Sequence, residues 1–445
     1  MNVATGTAAA HPAIATEHSA SRVSSAVAGA LLFVGAFIVF LLSSRMFDAG
    51  RGDFFYLADA FLKGRTWFTP ALGPYDDVIV AGKVYVPFAP FPAILLLPLV
   101  AVVGPHLADT WQPIINSGLA AFDVWLLWVL AGRLGVRNPW DRIWLAVLFG
   151  FSTAIWWVTT RGGVWHTGHL VATMLTMLAL IELFGRRRAL LVGLLGGAAF
   201  LTRAPVVFAM PAYGLWYLLD RDGRLRDGLG RGRQAAEGVA DRVVDGATSN
   251  VGRARRFVAA LPIRDWVLLS LGFLPAFLFW AWYNQIRFGS PFESGYGLAS
   301  LPLFLQQQRD QGLFSLSHLG MNIDYLFLHL PTRIPNFPFF RPDGLGLSII
   351  LTSPALFLAL RADWRSGRSW LLAFATVATI IPSLLYYGGG WLQYGYRYAL
   401  DSIPFVMALA CIAAARHGVN WFWRALIVFG VVVNLGGVYW AYNLS

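Results

Sequence analysis

Charged side chains are scarce in this sequence. Asp, Glu, Lys and Arg make up 13% of its 445 residues, whereas 57% of the residues are hydrophobic. A soluble chain carries charge at roughly a quarter of its positions. So little charge leaves too little polar surface to cover a water-soluble globule. The composition therefore excludes that class and indicates an integral membrane protein.

Cysteine is almost absent as well. The single Cys411 lies inside an apolar block, which excludes a disulfide framework and a thiol metal site. The apolar blocks are also too long and continuous for the alternating strands of a membrane barrel. About 20 helical residues cross the hydrocarbon layer. The blocks therefore predict transmembrane helices.

The blocks predict an all-α polytopic membrane protein with about 11 transmembrane helices. The predicted spans are 26–43, 113–132, 142–160, 169–185, 189–202, 205–219, 266–284, 346–360, 370–387, 398–415 and 420–440. The apolar segment from Phe91 to Val103 is left out, because it has only about 13 residues and contains two prolines. We predict that it is a re-entrant or interfacial helix.

The arginines predict the orientation of the chain. The net charge of +11 does not indicate nucleic-acid binding, because the arginines form short clusters between the apolar blocks. With about 11 spans, all of these clusters fall on one side, which the positive-inside rule assigns to the cytoplasm. The clusters are Arg133, Arg137 and Arg142; Arg186 to Arg188; the stretch from Arg221 to Arg264; Arg361, Arg365 and Arg368; and Arg416. We therefore predict a multi-pass protein of the cell membrane with a cytoplasmic N-terminus.

The first polar cluster follows the first predicted span. Asp53 lies there close to Arg51, and a carboxylate at the membrane surface can accept the proton of an incoming hydroxyl group. Phe54, Leu57 and Phe61 follow helical spacing, which predicts an amphipathic helix lying on the interface. The alternative is that Asp53 caps this helix, and the two roles are compatible.

Two further groups offer ligands for cations. Asp76 and Asp77 are adjacent, and neighbouring carboxylates can bind a divalent cation or raise each other's pKa. They could equally form a solvated turn. His166 and His169 are three residues apart and could share a helix face. Because a third ligand is missing from this segment, we predict no metal site.

Several cations and aromatic residues lie at the predicted outer ends of later spans. Arg203 lies between two apolar blocks and needs an anionic partner, for which a phosphate group suits its fork of donors. Snorkelling to lipid headgroups is the alternative. The segment 388–398 combines glycines with Tyr394 and Arg397. Aromatic rings beside polar groups suit sugars, but they also form the ordinary interfacial belt. Asp123 lies in the middle of a span, where carboxylates are buried for structure or function.

The order of these motifs resembles that of a known superfamily. An acidic residue after the first span precedes an interfacial helix that ends in Gly64-Arg65, and then Tyr85-Val86-Pro87-Phe88-Ala89-Pro90 precedes a short apolar helix. This order resembles the GT-C superfamily of membrane glycosyltransferases, in particular its bacterial mannosyl- and aminoarabinose-transferase-like branch. The segment 201–205 is similar to a Leu-Thr-Lys-Gly-Pro element of that family. The segments 287–291 and 391–397 resemble recurrent pieces of related bacterial members.

The resemblance implies a function on the outer face of the membrane. Asp53 would act as a base, and a hydroxyl group of a glycan, lipid or protein acceptor would attack a polyprenyl-phosphate sugar with inversion. Arg203 and Arg397 would hold the phosphate. Further substrate contacts are predicted at Arg51, Asp77, Tyr85, His166, Arg287 and Tyr394. No cofactor is predicted, although the adjacent carboxylates leave a role for a divalent cation open. The expected partners are the lipid bilayer, the polyprenyl-phosphate sugar and its acceptor, and no nucleic acid.

The sequence departs from the family at Phe54, where a second acidic residue is common, and at Ala89, where a lysine is common.

The predicted organisation is a flexible cytoplasmic tail (1–25), a GT-C-like catalytic module (26–219), a basic cytoplasmic loop (220–264) and a C-terminal transmembrane module (265–445). The first outer loop covers 44–112 and the second covers 285–345. A multi-pass transporter or flippase of lipids or solutes is the alternative, and it predicts inverted repeats and helices broken at mid-membrane.

Overall fold

A computed structural model describes residues 12–44, 51–225 and 261–443, with the exception of Pro338 and Trp391. The structure is 68% helical and 5% strand. Most of the predicted basic loop, 226–260, lies outside the described residues. The predicted flexible tail is helical from Pro12 onward. The segment from Pro12 to Ala28 contains no glycine or proline after its first residue, and proline is well suited to a first helical turn.

The helices occupy nearly all of the predicted apolar blocks. The first ten are α1 (Pro12–Ser44), α2 (Asp53–Leu62), α3 (Phe91–Val103), α4 (Pro105–Thr110), α5 (Gln112–Arg133), α6 (Pro139–Phe151), α7 (Ile155–Arg161), α8 (Val164–Leu183), α9 (Ala189–Phe200) and α10 (Met210–Trp216). After the undescribed loop come α11 (Ile263–Phe288), α12 (Leu303–Arg309), α13 (Leu319–Ile323), α14 (Ile349–Thr352), α15 (Gly367–Leu385), α16 (Ile403–His417) and α17 (Trp421–Asn443). Segments of 3₁₀-helix cover Ala204–Ala209, Leu316–His318, Pro354–Arg361 and Arg397–Asp401, and a π-helical turn covers Asp324–Leu328.

Two small antiparallel hairpins are the sheet structure of the described ranges. Strand β1 (Val78–Val80) pairs with β2 (Lys83–Tyr85), and β3 (Thr332–Arg333) pairs with β4 (Phe340–Arg341). The turn between β1 and β2 contains Ala81 and Gly82, both with positive φ, as a tight two-residue hairpin turn requires. The first hairpin places the acidic residues just before β1 next to the helical bundle.

The structure is that of an all-α membrane protein. Among the described residues, six helices are long and apolar enough to cross a membrane, within α1, α5, α8, α11, α15 and α17. The helices α6 and α7 make a seventh if the pair, bent by 48°, is one span. The remaining predicted spans contain helices that are too short by this measure. Pro205 and Pro354 lie in the first turn of 3₁₀ segments in two of them, because proline removes a donor from the α-helical ladder.

Loops at one end of the bundle carry the arginine clusters, and we call this the basic end. They connect α5 to α6, α8 to α9, α15 to the preceding 3₁₀ segment, and α16 to α17. Contacts join them to one another: Arg187 with the Leu219 carbonyl (2.9 Å), the Gly367 amide with the Gly223 carbonyl (3.0 Å), Arg416 with Asp363 (2.6 Å) and Arg424 with Asp141 (3.4 Å). Ser25, where the membrane-crossing part of α1 begins, reaches the same end through Arg142, at 3.3 Å.

The longer connecting segments meet at the other end of the bundle, which we call the loop end. Here α7, α9, α11 and α15 terminate and α8 and α16 begin. The contacts that join these segments are the Val164 amide with the Arg51 carbonyl (2.9 Å), the Phe91 amide with the Leu201 carbonyl (2.9 Å), Arg287 with the Val86 carbonyl (2.6 Å) and Arg397 with His166 (3.3 Å). The polar residues singled out in the sequence therefore collect at this end.

Glycines allow α9 and α11 to pack closely. A Cβ atom on Gly193 would lie 2.1 Å from the Leu269 carbonyl oxygen, and one on Gly272 would lie 2.3 Å from the Leu190 carbonyl oxygen. Small residues at helix interfaces let backbones approach in membrane proteins. This contact lies in the first half of α11. The two helices stay together as far as the end of α9, where the ring centres of Phe200 and Trp280 are 5.5 Å apart.

Candidate functional site

The loop end encloses a cavity of about 710 Å³. Its volume falls within the range of small-molecule sites, which hold a few polar groups among apolar and aromatic walls. The polar side chains on its wall include Arg51, Asp76, Arg161, His166, His169, Arg203, Asn284, Arg287 and Arg397. Residues that are far apart in the sequence thus share one chamber, and five of the predicted site residues are among them.

The predicted base, Asp53, lies beneath the cavity wall. It is the first residue of α2, and Gly52 occupies the N-cap position, so the alternative that Asp53 caps the helix is wrong. Its carboxylate is 0% exposed and both oxygens contact Arg51, at 2.5 and 3.2 Å. Burial raises the pKa of Asp53 to about 6, although the charge of Arg51 acts in the opposite direction.

Arg51 is the residue of this cluster that lines the cavity. Its Nη2 also contacts Asp77 at 2.6 Å, and its Nη1 donates to the Tyr75 carbonyl. Asp77 is 1% exposed, so this predicted substrate contact is also buried behind the guanidinium. Two carboxylates hold one arginine against the wall. Their geometry suits positioning of Arg51, since neither carboxylate is on the wall itself.

Asp76 is the carboxylate that meets the cavity. Among the described residues that line it, Asp76 alone carries an acidic side chain. Its backbone has a φ of +67°, its amide donates to the Ser300 carbonyl at 2.7 Å, and its side chain is hydrogen-bonded to Trp165. Burial raises the pKa of Asp76, while the charges of Arg51 and Arg397 act to lower it. The sequence places Asp76 in an acidic pair but does not show which member faces inward.

Arg397 presents donors to the cavity. It is 8% exposed, and its Nη1 lies 3.3 Å from His166 Nε2. His166 Nδ1 contacts the Gly162 carbonyl, so this nitrogen carries the proton and Nε2 accepts from the arginine. The Nε of Arg397 is buried without a hydrogen-bond partner in the described part of the chain, which leaves a buried donor available for a ligand.

Arg203 is held by a residue that the sequence analysis left out of the site. Its Nε and Nη2 donate to Asp401 at 2.5 and 2.9 Å in a fork arrangement. The Tyr398 ring lies 5.6 Å from the Arg203 guanidinium carbon and 5.3 Å from that of Arg397. The two guanidinium groups therefore converge on one tyrosine ring.

Arg287, near the end of α11, forms part of another wall. It is 7% exposed, donates to the Val86 carbonyl at 2.6 Å and to Asn284 at 2.7 Å, and lies 3.7 Å from the centre of the Tyr283 ring. These neutral partners hold the guanidinium in place, and they leave its positive charge facing the chamber.

Two predicted substrate contacts lie away from the cavity. Tyr394 is 5% exposed, and its hydroxyl donates to the Val433 carbonyl of α17 at 2.6 Å. Tyr85 is 7% exposed and packs against Phe288, with ring centres 5.6 Å apart. Neither lines the cavity, and both side chains pack in the protein interior.

Other tyrosines provide the aromatic wall instead. Tyr296, Tyr386, Tyr387 and Tyr398 line the cavity. Edge contacts join Tyr386 to Tyr296 and to Tyr398, with ring centres 6.2 and 6.1 Å apart. Such rings offer flat faces that stack on the C–H groups of a sugar, with phenol groups that can bond its hydroxyls. This wall comes from three separate segments of the chain.

Within the described ranges, no three His, Cys, Asp or Glu side chains are grouped so that they could hold a metal ion. No family model, curated protein or solved structure matches the chain. The functional argument therefore depends on the geometry of the site itself.

Proposed function

We propose that this protein is a membrane glycosyltransferase that moves a sugar from a polyprenyl-phosphate donor to the hydroxyl group of an acceptor. The observation that carries the proposal is the convergence of Arg203 and Arg397 around Tyr398 in the same cavity as Asp76. Two guanidinium groups suit a phosphate, a carboxylate suits a hydroxyl proton, and tyrosines suit a sugar.

The reaction is a single displacement with inversion. Asp76 takes the proton from the acceptor hydroxyl as its oxygen bonds to the anomeric carbon of the donor sugar. The bond between that carbon and the phosphate oxygen breaks, and the electron pair leaves with the polyprenyl phosphate. Arg203 and Arg397 stabilise the charge that develops on the phosphate. Asp53, predicted as the base, holds Arg51 in this scheme because its oxygens do not reach the wall.

We further propose that the chain crosses the membrane about 11 times, as the sequence predicts. The contacts at the two ends of the bundle support this count, since successive apolar segments run alternately between the basic end and the loop end. The short helices, such as α9 and α16, take part in this alternation. By the positive-inside rule the basic end is cytoplasmic and the cavity faces outward.

Cysteine labelling tests this orientation. We expect Arg365→Cys to react with a membrane-impermeant maleimide only after the membrane is opened, and Gln311→Cys to react in intact cells. Arg365 lies at the basic end and Gln311 on the loop end, and both are exposed. The native Cys411 is 0% exposed and provides the unlabelled background. Labelling of both positions from the same side would contradict the proposed topology.

A lipid transporter or flippase is the second candidate. The break between α6 and α7, with its bend of 48°, favours it, because transporters use interrupted helices near their substrate sites. The polar residues do not collect at this break, however, but at the loop end. The described structure therefore favours transfer over transport.

The deciding experiment incubates purified protein in vesicles with a panel of labelled polyprenyl-phosphate sugars and candidate acceptors, with and without a chelator. We expect one sugar to appear on an acceptor with release of polyprenyl phosphate. Movement of the intact labelled lipid between leaflets, with no new glycosidic bond, would support the flippase instead. Absence of transfer from every donor would contradict the proposed function.

A further inference from the structure

His169 is a buried imidazole that the proposed reaction does not use. It lies in the second turn of α8 and lines the cavity, yet it is 1% exposed. Its Nε2 has no hydrogen-bond partner in the part of the chain that is described. Buried polar groups without partners are rare in native proteins. A polar atom left open on the wall of a cavity points to a ligand.

The neighbours of His169 determine which nitrogen carries the proton. Its Nδ1 lies 3.6 Å from Asp401 Oδ1, and a carboxylate can only accept. A lone pair on Nδ1 would therefore repel Asp401, so the proton belongs on Nδ1. Asp401 is already paired with Arg203 through two hydrogen bonds. The positive charge of that arginine and the burial of the ring disfavour an imidazolium. The ring is neutral, and Nε2 is an acceptor.

Because Nε2 is an acceptor, it binds only a ligand group that can donate a hydrogen bond. A phosphate oxygen of the donor has no hydrogen to give, so its lone pairs would repel Nε2. A sugar hydroxyl, in contrast, has a hydrogen that it can donate to Nε2. The Tyr398 ring, which lies against both phosphate-binding arginines, is centred 6.1 Å from the His169 ring. The sugar attached to the phosphate therefore comes within reach of His169.

We propose that His169 accepts a hydrogen bond from a hydroxyl group of the transferred sugar, and so determines which donor sugars the protein uses. Asp401 is a positioning residue with two roles. It holds Arg203 in place for the phosphate, and it fixes the tautomer of His169. The inference rests on the proposed function. It extends that function by assigning the donor sugar a free hydroxyl next to the phosphate site.

A cycle of protein and donor changes tests this hydrogen bond. The donors are the polyprenyl-phosphate sugar that the wild type accepts and its set of monodeoxy analogues. We expect His169→Ala to lower kcat/KM for the full sugar by about 3- to 10-fold, which is the range for one neutral hydrogen bond. One deoxy analogue should show a similar loss with the wild type and almost no further loss with the variant. His169→Gln, which retains an acceptor, should recover part of the activity.

The controls separate binding from folding. His417→Ala, at the exposed basic end, should leave transfer unchanged, and thermal unfolding in detergent should show that His169→Ala is folded. Equal losses with every donor, including all deoxy analogues, would overturn the role of His169 and leave the transferase proposal intact. A wild-type protein that transfers none of the sugars would overturn both.

Discussion

Asp76→Asn is expected to lower kcat for sugar transfer by about 10²- to 10⁴-fold, the contribution typical of general acid–base catalysis. An amide has nearly the same shape as the carboxylate but cannot take the proton from the acceptor hydroxyl. Because Asp76 alone supplies an acidic side chain among the described cavity-lining residues, no neighbouring carboxylate on the wall can replace it. Initial rates at saturating donor and acceptor measure the effect.

Two matched variants are compared with Asp76→Asn. Asp59→Asn changes a partly exposed acid that pairs with Lys63 on the outside of α2 and should have no effect. Asp53→Asn should cost less than Asp76→Asn, since Asp77 still holds Arg51. The reverse result, with Asp53→Asn inactive and Asp76→Asn nearly normal, would identify Asp53 as the base. It would also mean that the ion pairs of Arg51 open during catalysis.

The pH profile gives an independent check on the same base. A base works only when it is ionised, so activity falls as the pH drops through the pKa of Asp76. Burial raises that pKa above the ordinary aspartate value. We therefore expect the acidic limb of the profile to lie at a higher pH than for an ordinary aspartate, and to disappear in Asp76→Asn. An unchanged acidic limb in the variant would exclude Asp76.

The bundle itself could be predicted from the sequence because it follows from hydrophobic length. Apolar segments of sufficient length must form helices to satisfy their backbone in lipid, and α1, α5, α8, α11, α15 and α17 lie where the blocks indicate. The 3₁₀ segments could also have been predicted, since Pro205 and Pro354 lie within the blocks. The number of crossings is harder to predict, because helix length alone does not determine it. Helices such as α9 and α16 are shorter than the about 20 residues that cross the hydrocarbon layer, so their packing against the other helices also matters.

The site could be predicted only in part, because its partners are distant in the sequence. The need of Arg203 for an anion could be inferred locally, but its partner Asp401 lies 198 residues away. The segment 388–398 is irregular, so no periodicity shows which of its tyrosines face inward. Tyr394 contacts α17, whereas Tyr398 reaches the cavity. Residue types therefore predict that polar residues gather at one end of the bundle, and tertiary contacts determine which of them line the cavity.

Arg397→Gln is expected to lower kcat/KM by about 10²- to 10³-fold, the cost of removing one preorganised donor at a developing charge. Arg397 has no acidic partner in an ion pair within the described structure, so its full charge is available to the phosphate. Arg203 shares its charge with Asp401, and for this reason the loss in Arg203→Gln should be the smaller of the two. Steady-state transfer from the accepted donor measures both.

A lysine at position 397 separates charge from geometry. Arg397→Lys keeps the positive charge but loses the planar fork that lets one nitrogen contact His166 while others face the cavity. We expect it to recover only part of the activity lost in Arg397→Gln. Arg365→Gln, at the basic end and exposed, is the control and should transfer sugar normally. Full activity in Arg397→Gln would place the donor phosphate elsewhere in the cavity, with Arg287 as the remaining buried guanidinium that lacks a carboxylate partner among the described residues.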